Sequence, residues 1–254
     1  MEIPGALGHV LSARIDEPDG PTRAHAVFAH CFSGSKDWKG VRRICRALVE
    51  AGIAVLTFDF TGLGESGGDF ADTNFSTNVE DVVRASQFLA EMHCAPDVLV
   101  GHSLGGAAVL AAAERIPSVR AVATIGAPSD PEHLVRTLGE AAARADAEGE
   151  AELRVGGRRL TIRRAFLDDL RANDLEGRIG ALGRPLLIFH SPVDEIVSIE
   201  EARSIYRAAR HPKSFVSIDG ADHLLQRDAR DAEFVAQVLA TWATRYLPED
   251  AGHD

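Results

Sequence analysis

The run Asp97-Val98-Leu99-Val100-Gly101-His102-Ser103-Leu104-Gly105-Gly106-Ala107-Ala108-Val109-Leu110 decides the fold. Its first residues are apolar in the manner of a buried strand, and Gly106–Arg115 is Ala-rich in the manner of a helix. Between them Gly101–Gly105 spells G-x-S-x-G. A serine there must sit on a sharp, strained strand-to-helix turn that lifts its hydroxyl above the sheet edge, and the flanking glycines let strand and helix approach closely. The five-residue pattern alone says little; the strand before it and the helix after it make Ser103 the expected nucleophile.

Outward from this turn the pattern repeats. Apolar runs at His25–His30, Ile53–Phe58, Val98–Val100, Ala121–Ile125, Leu186–Phe189 and Ser214–Ile218 are apolar almost throughout, as strands buried on both faces are. Helical spacing occupies Lys39–Ala51, Ser76–Met92, Leu104–Arg115, Ile199–Ala209 and Asp231–Tyr246, the second expected to open on a capping box from Thr77 to Glu80. Alternation of strand and helix predicts an α/β domain with a mostly parallel twisted sheet and helices on both faces. The 254 residues suit one such domain, 1–254. The alternation breaks once, over 128–183. A Pro-rich loop there leads into a helix at Glu132–Ala147, and the runs Ala151–Val155 and Arg158–Ile162 flank Gly156-Gly157 as a hairpin would. This insertion is expected to be a small cap over the C-terminal sheet edge, where open α/β sheets place their ligands. The basic stretch Arg154–Arg164 falls within it and reads as a solvated strand pair.

A serine hydroxyl needs a base, and the base needs an acid to hold its tautomer and stabilise the imidazolium. Two loops that leave late strands supply candidates, Ser191-Pro192-Val193-Asp194-Glu195 and Asp219-Gly220-Ala221-Asp222-His223. His223 is the expected base and Asp194 the expected acid, with Glu195, Asp219 and Asp222 competing for that role. His190, at a strand end, and His211, before Pro212, read as structural. A histidine base must be neutral, so activity is expected to fall below about pH 6.5. The tetrahedral oxyanion needs donors, expected from the amides of Leu104 and, in the loop His30-Cys31-Phe32-Ser33-Gly34, Phe32. His30 is expected to brace that loop, and Cys31 to be a small buried residue.

The glycine-rich run Phe58–Gly68 lacks the Gly-Lys-Ser/Thr of a phosphate loop and reads as a tight structural turn near the pocket rim. No His, Cys, Asp or Glu cluster has metal spacing, so no metal or cofactor is expected. A formal net charge of -11 disfavours nucleic acid and anionic membrane surfaces, and no run reaches the ~18 apolar residues of a membrane span. Three scattered cysteines and an N-terminus without a basic-then-apolar leader point to the cytoplasm. The composition is compatible with a monomer and with a homo-oligomer.

Taken together, His30-Cys31-Phe32, Phe58-Asp59 with Gly62 and Gly64, Gly101–Gly105, Asp194 and His223 resemble the α/β-hydrolase family in its own order, across essentially the whole chain. The stretches AHCFSGSKD, FDFTGLGESGG and ARHPKSFVSIDGADHLL look like a bacterial subgroup in which the hydrolase is often fused to an OsmC-like domain. Asp254 closely follows the last expected helix, so that partner is expected to be missing from this chain. Cys31 stands where the family commonly has a glycine in its oxyanion loop. The resemblance implies the α/β-hydrolase fold and hydrolysis of a small-molecule carboxylic ester through an acyl-enzyme. A thioesterase, an amidase or a C–C bond hydrolase would use the same residues, and a catalytically silent binding module would keep only the fold.

Overall fold

The apolar runs become strands because, in a sheet covered on both faces, every side chain of a central strand is buried. The computed structural model describes residues 1–32, 34–92, 94–155 and 158–247. In chain order these form β1 (Glu2–Pro4), β2 (Val10–Asp16), β3 (Ala24–Ala29), α1 (Lys39–Glu50), β4 (Ile53–Phe58), α2 (Phe75–Met92), β5 (Val98–His102), α3 (Leu104–Ala112), β6 (Ala121–Ile125), α4 (His133–Leu138), α5 (Glu140–Glu148), β7 (Glu150–Val155), β8 (Arg158–Arg163), α6 (Arg164–Ala172), α7 (Leu175–Ala181), β9 (Leu186–His190), α8 (Ile199–Ala208), β10 (Lys213–Ser217) and α9 (Ala229–Thr244). The main sheet runs β1-β2-β4-β3-β5-β6-β9-β10. From β4 to β10 all neighbours are parallel, while β2 joins β4, and β1 joins β2, antiparallel.

Two apolar layers cover the sheet. Residues of α1 and α9, including Ile44, Leu48, Val235 and Leu239, bury one face, and those of α2, α3 and α8 bury the other around Phe58, Phe75 and Leu110. Strand order reverses beside β3, which pairs with β4 on one side and β5 on the other. Ligands of open α/β sheets bind outside the carboxyl ends of strands at such a switch point. Pairing of Ala29 with Gly101 brings the loop after β3 against the turn after β5.

Three local features differ from the sequence reading, and a fourth adds detail to it. The antiparallel β1 and β2 were not anticipated; β2 alternates in burial along VLSARID, as a half-covered strand at the sheet margin does. The cap of α2 lies three residues earlier than expected: the Asn74 side chain accepts from the Thr77 amide at 2.8 Å and the Thr77 hydroxyl accepts from the Asn74 amide at 2.9 Å. Glu80 instead pairs with Arg84 and Arg115. The helix expected over Glu132–Ala147 is broken at Gly139, whose φ of +49° ends α4 and starts α5. Finally, the Phe58–Gly68 turn wraps a buried carboxylate: Asp59 accepts from the Lys36 amide, the Lys36 ammonium and the Glu65 amide. It leans on β2 through the Gly67 amide, which donates to the Val10 carbonyl, and none of its residues lines the cavity described below.

Between β6 and β9 lie α4, α5, the antiparallel pair β7–β8, α6 and α7. The two strands pair from Glu150↔Arg163 to Val155↔Arg158, and the Gly156-Gly157 turn expected between them lies outside the described residues. Within this segment α7 packs on α3 and α8 as a sheet-flanking crossover helix, while α4 and Val155 reach over the C-terminal edge.

Candidate active site

Ser103 occupies the junction of β5 and α3 with φ +55° and ψ -124°, a left-handed conformation that costs a non-glycine residue about 1–3 kcal/mol. The surroundings hold it there. Its amide donates to the Ile125 carbonyl and its own carbonyl accepts from the Gly106 amide, both at 2.8 Å. A Cβ on Gly105 would lie 2.3 Å from the His30 carbonyl, so no larger residue lets α3 approach β3 this closely.

The loops after β9 and β10 bring two more of the expected residues together. Asp194 Oδ2 accepts from His223 Nδ1–H at 2.7 Å, with only 2% and 7% of the respective side chains exposed. Asp194 Oδ1 takes the amides of Ile196 and Val197, both at 2.9 Å. Burial pushes this carboxyl up, but the hydrogen bond and charge of His223 and the two amides outweigh it and hold Asp194 below the usual carboxylate range. Because Nδ1 carries the proton facing the carboxylate, Nε2 of His223 is left with a lone pair. The competing acids lie elsewhere: Asp222 accepts the amides of Leu224, Gln226 and Arg227, and Asp219 takes the Ser217 hydroxyl.

Leu104 begins α3, and the first amides of a helix have no carbonyl one turn back to bond to. The Phe32 amide is aimed by its neighbour. His30 Nε2 accepts from the Phe60 amide at 3.3 Å, which places the His30 proton on Nδ1, and that nitrogen donates to the Cys31 carbonyl at 2.8 Å. The Gly34 amide holds the same carbonyl at 2.9 Å. In a trans peptide the next N–H points the opposite way, so Phe32 N–H faces away from His30. His30 thus braces this loop. Burial holds its pKa down, and burial pushes the Cys31 thiol up to about 12, far from thiolate reactivity.

A cavity of about 280 Å³ collects Cys31, Phe32, Ser103, Leu104 and His223 on its floor, under Leu134 and Leu138 of α4. Among the described residues no group of three or more His, Cys, Asp or Glu side chains could hold a metal ion, and no helix is long and apolar enough to cross a membrane.

Two histidines contribute more than their sequence context disclosed. His102, beside the serine, donates from Nε2 to the backbone carbonyl of His223 at 2.7 Å, the two rings lying 5.0 Å apart. Burial first, and the neighbouring His223 second, push His102 down to about 3, so it is a neutral donor. It was legible only as the variable position of G-x-S-x-G. His190, fully buried, donates from Nε2 to the Val197 carbonyl at 2.7 Å and so pins the loop that carries Asp194.

A largely parallel sheet, a strained serine between strand and helix, and an aspartate–histidine pair on two later strand-end loops define the α/β-hydrolase class. A sequence profile described as the Alpha/beta hydrolase family matches residues 26–253, and the chain belongs to that family. Among solved structures, the esterase domain of a Rhodothermus marinus protein is 49% identical, with 97% of each chain covered and a TM-score of 0.79. Est1E of Butyrivibrio proteoclasticus, 20% identical over 97% of this chain and 98% of its own, superposes with a TM-score of 0.81. The uncharacterised protein YfhR of Salmonella typhi is 24% identical over 208 residues; the match takes in 80% of this chain but 66% of YfhR, just under two thirds of its length.

Proposed function

We propose that this protein is a serine hydrolase that cleaves small carboxylic esters through an acyl-enzyme, with Ser103 as nucleophile, His223 as base, Asp194 as acid and the amides of Leu104 and Phe32 as oxyanion donors. The observation that carries the reading is the 2.7 Å contact of His223 Nδ1 with Asp194 in a cavity that Ser103 also lines. The 49% identity to a chain described as an esterase domain supports the ester as substrate. Residues 128–183 act as a cap through α4 and Val155, which close the cavity from above.

In this mechanism Ser103 Oγ attacks the ester carbonyl carbon while its proton passes to His223 Nε2. The carbonyl oxygen becomes an oxyanion held by the two amides, each worth roughly 10²–10³ in rate. Asp194 stabilises the imidazolium. Collapse of the intermediate breaks the bond to the alkoxy oxygen, which takes the proton from His223 and leaves as the alcohol. Water, deprotonated by the same nitrogen, then attacks the acyl-enzyme and releases the carboxylic acid and Ser103.

Ser103→Ala should lower ester turnover by about 10⁶, the size of a triad-serine knockout in an unrelated protease, and abolish fluorophosphonate labelling. Turnover within about tenfold of wild type would remove Ser103 from the chemistry. Labelling of the wild type with no ester turned over would point instead to an amidase or C–C bond hydrolase; neither labelling nor turnover would point to a binding module.

A further inference from the structure

We propose that the chamber beneath α4 is the acyl subsite, taking an uncharged apolar acyl group of about six carbons beyond the carbonyl by the volume of about 30 Å³ per water-sized group, while the alcohol lies outside, in an open cleft beyond His223. This assignment rests on the serine-hydrolase reading above. The orientation follows from which side chains border which space. Ser103, Phe32 and Leu104 line the chamber, so the ester carbonyl lies there, and one of its two substituents extends into the apolar space beneath α4 while the other leads out. His223 borders both that chamber and a second cleft of about 180 Å³, formed with Val193, Glu195, Ile196, Asp222 and Arg227, which does not reach Ser103. The proton that releases the alcohol comes from His223, so the alcohol belongs on that second side.

The chemistry of the walls fixes the class of acyl group. Phe32, Leu104, Leu134, Leu138 and Val155 are apolar, and no Lys, Arg, Asp or Glu side chain lines the chamber among the described residues. Its polar roof groups are already engaged. His133 Nε2 donates to the Ile196 carbonyl at 3.1 Å, and its Nδ1 faces Glu201 at 3.5 Å. The Thr137 hydroxyl donates to the His133 carbonyl at 3.1 Å. A carboxylate or ammonium on the acyl group would lose its hydration without gaining a partner. A volume of about 280 Å³ holds about nine water-sized groups, and removal of the three ester heavy atoms leaves about six carbons. The second cleft differs in kind. Val193 and Ile196 are 58% and 52% exposed, and Glu195 and Arg227 stand at its rim, so the alcohol is neither enclosed nor limited in length.

Isomeric esters separate the two ends: ethyl heptanoate and heptyl acetate carry the same atoms with the chain on opposite sides. Along an ethyl ester series, kcat/KM should rise about fourfold per acyl methylene up to heptanoate and fall beyond it, at about 0.8 kcal/mol per buried methylene. Along the alkyl acetate series the change should stay under about twofold per methylene, as expected for a chain left in water. Leu138→Trp, which fills the space of about two methylenes, should lower the heptanoate-to-acetate ratio about 16-fold, while Leu138→Ala should move the longest accepted acyl chain upward. Thermal melting monitors folding of both variants, and the Ala variant carries the test should Trp not be accommodated. The assignment is overturned by length dependence on the alcohol side, by succinyl esters outpacing butanoyl esters, or by an acyl preference that neither variant moves. If the wild type labels with fluorophosphonate and turns over acetate while the acyl series is flat, the subsite assignment alone fails; with neither labelling nor turnover, the hydrolase reading falls and takes the assignment with it.

Discussion

The hydrogen bond from His102 to the His223 carbonyl ties the residue beside the proposed nucleophile to the backbone of the proposed base across 121 positions of sequence. His102→Leu removes the donor and leaves a carbonyl in a place water reaches poorly, a penalty of about 1–3 kcal/mol for an unsatisfied buried group. If that cost falls on the geometry in which His223 accepts the serine proton, kcat/KM drops about 5- to 160-fold at 1.36 kcal/mol per decade. His102→Gln places an amide N–H near the lost Nε2–H and should recover most of the loss. Because His102 is held down at about 3 by burial and by His223, it stays neutral throughout an assay between pH 5 and 9, and neither variant should erase the acid limb of the pH profile. The assay is kcat and KM on p-nitrophenyl acetate for wild type and both variants, with the pH profile and thermal melting of each. A Leu variant that melts lower yet keeps wild-type kcat/KM would refute the positioning role, as would a Gln variant no better than Leu.

Acid should destabilise the fold from below about pH 6.5. His30, His102 and His190 are all held below their ordinary range, chiefly by burial, so the unfolded chain binds protons that the folded chain refuses and stability falls as pH drops. His133 works with the opposite sign: its pKa is raised, chiefly by the Glu201 hydrogen bond, so its contribution is present below the ordinary histidine value and lost as pH rises. Urea midpoints at pH 7, 6 and 5 should therefore decline for wild type, and a rise would contradict this balance. At Gly126, with φ +56°, an added Cβ would lie 3.2 Å from His223 Nδ1 and 3.4 Å from Asp194 Oδ2. Gly126→Ala should cost about 1–3 kcal/mol in backbone strain and lower kcat more than thermal stability alone explains; an unchanged kcat would count against the close fit. Cys31 and Cys45 are buried, with their thiols pushed well up, whereas Cys94 is exposed. A thiol reagent should therefore modify one cysteine in the native protein and three in urea, and fast labelling of Cys31 would contradict its burial.

The turn at Ser103 was legible because a single local requirement, a strained residue between strand and helix, writes itself into adjacent positions as Gly101 and Gly105. The bracing by His30 was legible in part for a similar reason, since one of its partners is the next residue, whereas the Phe60 amide that sets its tautomer lies thirty positions on. What escaped the sequence reading depends on distance along the chain. His102 meets the carbonyl of residue 223, and His133 meets Glu201 only once α4 has folded over α8. The break at Gly139 escaped because the Ala/Glu/Arg run after it and the Leu134, Val135 and Leu138 spacing before it join into one helical pattern, whereas a glycine at φ +49° ends α4 and restarts the chain as α5. The Asn74–Thr77 cap escaped because Thr77 and Glu80 offer the same spacing one turn later, and only the start of α2 chooses between them.

The order of the three candidate residues along the chain has a physical origin in the sheet. After the reversal beside β3, strands β5, β6, β9 and β10 are added one beside the next in sequence order. Each parallel addition needs a crossover that returns the chain to the starting edge, so every one of these strands ends with its carboxyl end on the same edge. Ser103, Asp194 and His223 leave β5, β9 and β10 on that edge, so their order in sequence follows their order in space. The Phe32 loop breaks this rule because it leaves β3, on the far side of β5 from β6. A reading that walks from the serine towards the C-terminus therefore meets the acid and the base in turn, whereas the second oxyanion amide is found only by asking which earlier strand lies against β5.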